Sequence, residues 1–200
     1  MRIQEGILMN PFDEHFILAS ASPRRRELLA QIGLDFTVEV ADCNENTSET
    51  DPARMVQELA LRKANAVAEK HPDEIVIGAD TVVVYEDEIM GKPADEKEAL
   101  DMLMYLSGRM HSVLTGVSII CKNRGIERKF VELTQVSMYE NDRDLLKKYI
   151  ATGEPMDKAG AYGIQGRGAI LVRSISGDYN NVVGLPVASV FRELSTITEA

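Results

Sequence analysis

The sequence of 200 residues contains no tryptophan, only two cysteines and no apolar run long enough to span a bilayer. The missing apolar run excludes a membrane-spanning helix, so we expect no membrane partner. Cys43 and Cys121 are not spaced as a metal-binding pair. Such a low count is typical of a reducing compartment and predicts a cytoplasmic protein. The remaining composition, 44% hydrophobic and 27% charged, is that of an ordinary globular protein.

Residues 1–14 lack the apolar core of a secretory peptide. They mix charged residues with Pro11, and we expect them to form a short N-terminal extension. The remainder, 15–200, is expected to form a single domain, because its length suits one hydrophobic core and no internal repeat or low-complexity linker divides it.

Several common catalytic motifs are also missing. The sequence has no Walker A loop and no His-Glu-x-x-His pair, which excludes a P-loop nucleotide site and the usual zinc peptidase site. The histidines, His15, His71 and His111, are scattered along the chain, and we expect them to be structural or exposed. Neither cysteine has a partner suited to nucleophilic catalysis.

Positive charge is scarce overall and concentrated locally. The net charge of −10 argues against a nucleic-acid polymer as partner, because such binding depends on many phosphate contacts from Lys and Arg. Residues 24–26 are three arginines, and no further Lys or Arg occurs until Arg54, whereas the stretch between them is acidic. This pattern fits a site for phosphates and a divalent cation, although two solvated surface patches would have the same sequence.

Apolar runs alternate with helix-capping residues along the chain. The patterns predict strands at 16–20, 36–40, 75–79 continuing in 81–85, 113–121, 126–138 and 169–175. They predict helices after the capping residues 22, 51 and 95, and at 141–150 and 186–194. Helices mixed with a long antiparallel hairpin indicate an α/β protein with a mixed sheet.

Segment 20–25 reads Ser-Ala-Ser-Pro-Arg-Arg and lies between a predicted strand and a predicted helix. Backbone N–H groups and the helix dipole attract anions at such a position. The hydroxyls of Ser20 and Ser22 and the guanidinium groups of Arg24 and Arg25 would add phosphate contacts. The alternative is an ordinary capped helix with exposed arginines.

Asp80 follows the apolar run 75–79. We expect it to lie at the end of a buried strand, where ligand sites of open sheets usually occur. Its carboxylate is a candidate cation ligand or general base; the alternative is an aspartate that only turns the chain between two strands. Lys63, on the predicted long helix, and Lys92, in a Gly-Lys-Pro sequence, are candidate phosphate ligands. Taken singly, each lysine is more typical of a solvated surface.

Segment 157–166 reads Asp-Lys-Ala-Gly-Ala-Tyr-Gly-Ile-Gln-Gly. Its glycines allow close approach of the backbone to a ligand. Their order is not the dinucleotide-binding fingerprint and no predicted strand precedes them, which excludes a Rossmann site. Gln165 offers a donor and an acceptor suited to the edge of uracil or thymine. Spacing alone favours the alternative, a glycine-rich turn with this amide in water.

The order of these segments resembles the Maf family of nucleoside triphosphate pyrophosphatases, also called septum formation proteins. The shared sequences are Ser-x-Ser-Pro-Arg-Arg, Gly-Ala-Asp-Thr, Gly-Lys-Pro, Leu-Ser-Gly-Arg-x-His and segment 157–166, and the resemblance runs from about Phe16 to the closing helix. It implies an elongated mixed β-sheet with flanking helices and two lobes around a deep cleft. That fold is similar to inosine triphosphate pyrophosphatases, and family members are often homodimers.

The Gly-Ile-Gln-Gly version of the last segment is similar to the family branch that acts on dTTP and UTP. The resemblance therefore implies a nucleoside triphosphate substrate that is hydrolysed to the monophosphate and pyrophosphate. It also implies a house-cleaning role against non-standard nucleotides and a divalent cation, Mg²⁺ or Mn²⁺, as cofactor.

The resemblance further implies roles for ten side chains. Asp80 would accept the proton, and Glu45 would hold the cation together with Asp80; many members have two adjacent acidic residues where this chain has Asn44-Glu45. Lys63 and Lys92 would be catalytic residues. Base specificity would be set by Arg24, Thr81 and Gln165. The substrate would also be bound by Ser20, Ser22 and Arg25.

Two alternatives of different kinds stay open at this point. One is a pyrophosphatase for 7-methyl-GTP or another modified nucleotide. The other is a nucleotide-binding regulator of septum formation that needs no turnover. A general base beside cations and an acidic loop favours an enzyme, since binding alone does not need an ionised carboxylate near phosphates.

Overall fold

A seven-stranded mixed sheet forms the centre of the protein, which the computed structural model describes over residues 9–197. The strands are β1 (His15–Ala19), β2 (Asp35–Val38), β3 (Ile75–Tyr85), β4 (Glu88–Met90), β5 (Met110–Cys121), β6 (Ile126–Met138) and β7 (Val172–Ser176). The helices are α1 (Pro23–Gln31), α2 (Pro52–Ala68), α3 (Glu96–Leu106), α4 (Arg143–Ile150), α5 (Tyr179–Val183) and α6 (Val187–Leu194). Short 3-10 helices are present at Pro11–Asp13, Glu154–Asp157, Ala159–Ala161 and Gly166–Leu171.

The strand order is β2-β1-β3-β5-β6-β7, with β4 paired to β3. Strands β2, β1 and β3 are parallel, whereas β3, β5, β6 and β7 are antiparallel neighbours. The predicted α/β class with a mixed sheet is thereby confirmed. No helix within residues 9–197 is long and apolar enough to cross a membrane.

One edge of β3 carries two different neighbours with a gap between them. Parallel pairing with β1 ends where Ala19 meets Gly78, and antiparallel pairing with β4 begins at Val83. β1 ends there because Pro23, which has no N–H for a sheet ladder, begins α1 three residues after Ser20. Within the described chain, residues 79–82 therefore have a strand partner, β5, on only one side.

Two separate hydrophobic clusters lie on either side of this gap. The first packs side chains of β1, α1 and α6, including Phe16, Leu29 and Leu194. The second packs α3 and α4 against β4, β5 and β6, including Leu103 and Leu146. The two lobes of the expected fold are these clusters, which the long strands β3 and β5 connect.

The expectation that Asp80 ends a strand is wrong. β3 runs through Asp80 to Tyr85, because its antiparallel pairing with β5 continues after β1 has left the sheet. The predicted strand at 169–175 begins only at Val172, since 166–171 forms a 3-10 helix. Helix α5 was not predicted, because five residues are too few to show a helical period.

The predicted extension lies partly outside the described range. Its residues 1–8 are not among those that the structure describes. Met9 is buried in the first cluster, and its backbone N–H donates to the carbonyl of Ile197 at 2.8 Å. The division into an extension and a single domain at residue 15 stays a prediction.

Candidate active site

A cleft of about 780 Å³ opens at the gap in the edge of β3. All ten side chains with roles implied from the sequence line it: Ser20, Ser22, Arg24, Arg25, Glu45, Lys63, Asp80, Thr81, Lys92 and Gln165. They come from both lobes, which explains why residues as distant along the chain as Ser20 and Gln165 share one cavity. Their individual chemical roles stay predictions.

Two glycines allow α2 to lie directly on the sheet beside this cleft. A Cβ on Gly78 would be 2.5 Å from the carbonyl oxygen of Ala60, and one on Gly116 would be 2.4 Å from that of Val56. Gly116 is also the residue of β5 directly opposite Asp80. This close packing holds Lys63, on the same helix, against Asp80 in the middle of β3.

Lys63 joins two carboxylates in the cleft. Its Nζ donates to Oδ1 of Asp80 at 2.7 Å and lies 2.7 Å from Oε2 of Glu45. The side chains of Lys63 and Asp80 are only 12% and 13% exposed, whereas that of Glu45 is 60% exposed. The ammonium group of Lys63 thus joins a nearly buried carboxylate on β3 to an exposed one on the loop before α2.

The loop that carries Glu45 is bound to α2 by Arg62. One guanidinium nitrogen of Arg62 donates to the backbone carbonyls of Asn44 at 3.1 Å and Asn46 at 2.7 Å, on both sides of Glu45. The side chain of Asn44 accepts from the N–H of Asn46 and so only closes a turn. Of the two adjacent positions, the structure thus places Glu45 in contact with Lys63.

The two carboxylates fit a cation that arrives with its substrate better than a resident metal centre. Within residues 9–197, no group of three or more His, Cys, Asp and Glu side chains is arranged to hold a metal ion. Mg²⁺ is commonly held by one or two carboxylates together with substrate phosphates. Glu45 and Asp80, which meet at one ammonium group, provide that number of protein ligands.

Arg25 is bound inside the protein at the bottom of the cleft. It donates to the carbonyls of Gly184 at 2.8 Å and Ala79 at 2.9 Å and to the hydroxyl of Thr81 at 2.9 Å. Burial lowers the pKa of Arg25, although the negative charge of Asp80 acts in the opposite direction. Arg25 thus connects α1 to β3 and to Gly184, which the sequence did not indicate, and its phosphate contact stays a prediction.

The N-terminus of α1 faces the cleft without a side-chain cap. Ser22 occupies the N-cap position, as expected, but its hydroxyl makes no capping hydrogen bond. The backbone N–H of Ser22 donates to the hydroxyl of Ser20 at 3.2 Å. N–H groups of a first helical turn that lack a side-chain acceptor attract an anionic ligand.

Asp157 and Lys158 are cleft residues to which the sequence assigned no role. Arg24 donates to Oδ2 of Asp157 at 2.9 Å and to its carbonyl at 3.3 Å, which connects α1 to the 3-10 helix Glu154–Asp157. Nζ of Lys158 donates to Oδ1 of Asp157 at 2.8 Å. Their place within segment 157–166 was the available signal, but nothing local indicated a partner 133 positions away.

The cleft is locally cationic although the chain is acidic. Its lining includes five cationic side chains and three carboxylates, while the whole chain has a net charge of −10. The cations are Arg24, Arg25, Lys63, Lys92 and Lys158. Such an uneven distribution directs anions toward the cleft and away from the remaining surface.

His111, on β5, is buried behind the cleft wall. Its Nε2 shares a hydrogen bond of 2.7 Å with the hydroxyl of Tyr162, and its Nδ1 has no partner among residues 9–197. Burial lowers the pKa of His111 to about 4, so the ring is neutral at pH 7. His111 therefore has the structural place expected for the histidines.

We expect His111 to make the protein less stable in mild acid. Because its pKa falls from 6.5 to about 4 on folding, the unfolded chain binds this proton at a higher pH than the native protein. The contribution of neutral His111 to the free energy of unfolding is thus fully present above pH 6.5 and is lost as the pH falls toward 4. Between pH 7 and pH 5 this loss is roughly 2 kcal/mol. Urea unfolding at both pH values measures this loss. The loss should be smaller in His111→Gln; an equal loss in both proteins would contradict the assignment.

The chain shares its fold with a solved structure of low sequence similarity. The Ham1 protein of Staphylococcus aureus matches with a TM-score of 0.50 and 14% identity over 80% of each chain. This likeness concerns the fold alone and agrees with the expected mixed α/β architecture. Fold and cleft together define a mixed α/β protein with a cationic site between two lobes.

Sequence comparisons then give the family. The model of the family described as Maf-like protein matches residues 15–197, so the chain belongs to the Maf family. A protein of Symbiobacterium thermophilum is 54% identical over 87% of this chain and 89% of its own length. A protein of Agathobacter rectalis is 52% identical over 89% of this chain and 95% of its own length. A protein of Bacillus cytotoxicus is 51% identical over 90% of this chain and 93% of its own length. All three bear the name dTTP/UTP pyrophosphatase.

Proposed function

We infer that this protein is a nucleoside triphosphate pyrophosphatase that hydrolyses dTTP and UTP to the monophosphate and pyrophosphate. Three relatives of that name, more than half identical over most of the chain, support the inference. The observation that carries it is the Asp80 carboxylate, bound to Lys63 at 2.7 Å at the floor of a cationic cleft. A general base at Asp80 would lie among cationic side chains suited to phosphate, which supports the proposal.

The reaction needs a water to attack the α-phosphorus. Asp80 accepts the proton of this water as the new P–O bond forms and the bond to the β-phosphate oxygen breaks. Lys63 holds the Asp80 carboxylate in place before the attack, and Lys92 and Lys158 offset the charge that develops on the leaving pyrophosphate. Groups held in place before the reaction stabilise this charge more effectively than water does.

The proposal includes a divalent cation, Mg²⁺ or Mn²⁺, held by Glu45 and Asp80. When bound with the phosphates, such an ion supplies positive charge that offsets theirs. The two carboxylates and the loop contacts of Arg62 support this assignment.

Base selection is assigned to Gln165, with Arg24 and Thr81. Gln165 is exposed at the cleft, where its amide offers one donor group and one acceptor to the edge of a pyrimidine ring. Arg24 and Thr81 already have partners in Asp157 and Arg25. A base would therefore meet two side chains that already have partners and one amide, that of Gln165, without a hydrogen-bond partner among residues 9–197.

Release of pyrophosphate from a set of triphosphates tests this function. We expect turnover of dTTP and UTP with Mg²⁺ or Mn²⁺, loss of turnover with a chelator, and much slower turnover of CTP and 7-methyl-GTP. In Gln165→Glu the preference for UTP over CTP should fall by about ten-fold or reverse, because a carboxylate cannot donate to the O4 of uracil but accepts from the amino group of cytosine. Preference for 7-methyl-GTP would favour the modified-nucleotide alternative. Binding of a triphosphate without turnover would favour a nucleotide-binding regulator.

We also propose that the protein is cytoplasmic and forms a homodimer that clears non-standard nucleotides. Support for the compartment comes from its two cysteines, both free thiols in the structure. Support for the homodimer comes from the family resemblance.

A further inference from the structure

The carboxylate of Glu154 binds the backbone of the loop that carries Gln165. Its Oε2 accepts from the N–H of Arg167 at 3.0 Å, and its Oε1 accepts from the N–H of Gly168 at 3.0 Å. Burial acts to raise the pKa of Glu154, but these two N–H groups and a hydroxyl donor outweigh it and lower the pKa. The side chain is thus a charged acceptor for two consecutive amides.

Tyr149, on α4, completes the contact from the other side of the loop. Its hydroxyl donates to Oε1 of Glu154 at 3.1 Å and accepts from the N–H of Gly163 at 3.2 Å. The two side chains together therefore hold the backbone both before and after Gln165. The bonds to the Glu154 carboxylate are charge-assisted and the bond to the Tyr149 hydroxyl is neutral, and together they hold the loop at both ends.

The loop leaves no room for a side chain at two of its glycines. A Cβ on Gly168 would be 2.3 Å from the carbonyl oxygen of Gly163 and 2.6 Å from the hydroxyl of Tyr149. Gly166 has a φ of +65°, which favours glycine, and a Cβ there would be 2.9 Å from Oε2 of Glu154. Both glycines thus bring the loop against the two side chains.

The Gln165 side chain itself has no such support. It is exposed and makes no hydrogen bond to residues within the described range 9–197. Its direction therefore depends on the backbone that carries it, and this backbone is held by Glu154 and Tyr149. Neither of these two side chains lines the cleft.

We propose that Glu154 and Tyr149 are positioning residues for base selection, acting through the loop that carries Gln165. This inference rests on the proposed pyrimidine triphosphate pyrophosphatase function. Neither side chain makes a hydrogen bond to Asp80, and of the groups assigned to the phosphates only Lys158 bonds to Glu154, at its backbone carbonyl. Their loss should therefore impair recognition of the base and leave the chemical step largely intact.

The test compares UTP and CTP turnover in Glu154→Gln, Tyr149→Phe and the wild type. In Glu154→Gln we expect KM for UTP to rise about ten-fold and the UTP over CTP ratio of kcat/KM to fall about ten-fold, while kcat changes less than about three-fold. Tyr149→Phe should give a smaller change of the same kind, because the two amide bonds of Glu154 remain. Asp142→Asn is the matched control. Asp142 also accepts a backbone N–H, that of Leu145 at 2.8 Å, but lies outside the cleft.

The outcomes separate this inference from the proposed function. A wild type that releases no pyrophosphate from UTP or dTTP defeats the function itself. If the wild type is active and Glu154→Gln keeps its base preference, or loses kcat for both nucleotides equally, the positioning role is wrong. Thermal unfolding identifies a variant that does not fold; if Glu154→Gln fails this check, Tyr149→Phe decides, and an unchanged UTP over CTP ratio there overturns the inference.

Discussion

Replacing Asp80 by asparagine is expected to lower kcat for UTP by about a thousand-fold, since it removes the group that accepts the proton of the attacking water. The side chain keeps its shape and its place in the middle of β3. Lys63 keeps Glu45 as a charged partner, so the fold should persist. Steady-state pyrophosphate release measures the loss, and circular dichroism with thermal unfolding measures the fold.

The matched control for this variant is Glu69→Gln. Glu69 is also a carboxylate paired with a lysine, Lys122, but it lies at the far end of α2 and outside the cleft. Its loss should leave kcat within about two-fold, because exposed ion pairs contribute little. Asp80→Asn with more than a tenth of wild-type turnover would mean that another group accepts the proton.

Replacing Gly116 by alanine is expected to destabilise the protein by about 3 kcal/mol, because the new methyl group would meet the backbone of α2. A Cβ at this position would lie 2.4 Å from both the carbonyl carbon and the oxygen of Val56, and neither backbone atom can move without the helix. Lys63 moves with that helix. We therefore expect the molecules that do fold to lose about a hundred-fold in kcat.

Urea unfolding and turnover at saturating substrate measure these two effects of Gly116→Ala. Gly91→Ala is the control for stability alone: a Cβ there would meet nothing within 4 Å, so its free energy of unfolding should change by less than about 1 kcal/mol. Unchanged stability in Gly116→Ala would show that α2 does not press on β5. Normal turnover would show that the helix position does not set the place of Lys63.

The site could be predicted from sequence where its signals are local. The capping positions of α1 and α2, the apolar run before Asp80 and the glycines around Gln165 are each visible within a few residues. The ion pair of Arg24 with Asp157 spans 133 positions, and the bonds of Glu154 to the Gln165 loop have no sequence pattern of their own. Contacts of this kind depend on how the lobes meet, so neither could be predicted.

Asp80 shows the same limit for the fold. The sequence correctly predicted a strand before this residue, but it placed Asp80 at the strand's end. β3 continues past Asp80 because it pairs with β5, and the cleft opens because β1 ends opposite Gly78. Both depend on strands that are distant in sequence.

Periodicity, capping residues and short motifs are local properties of the chain, and they were enough to predict the α/β class and the order of the main elements. Through the family resemblance, the short motifs also predicted ten side chains that line the cleft. Which of these side chains contact one another depends on how distant segments pack in the folded protein. Two glycines allow α2 to place Lys63 between Asp80 and Glu45. Arg25 bonds to the backbone of β3, and Glu154 bonds to the loop that carries Gln165. Close packing of distant segments sets these distances, and no short stretch of sequence contains them.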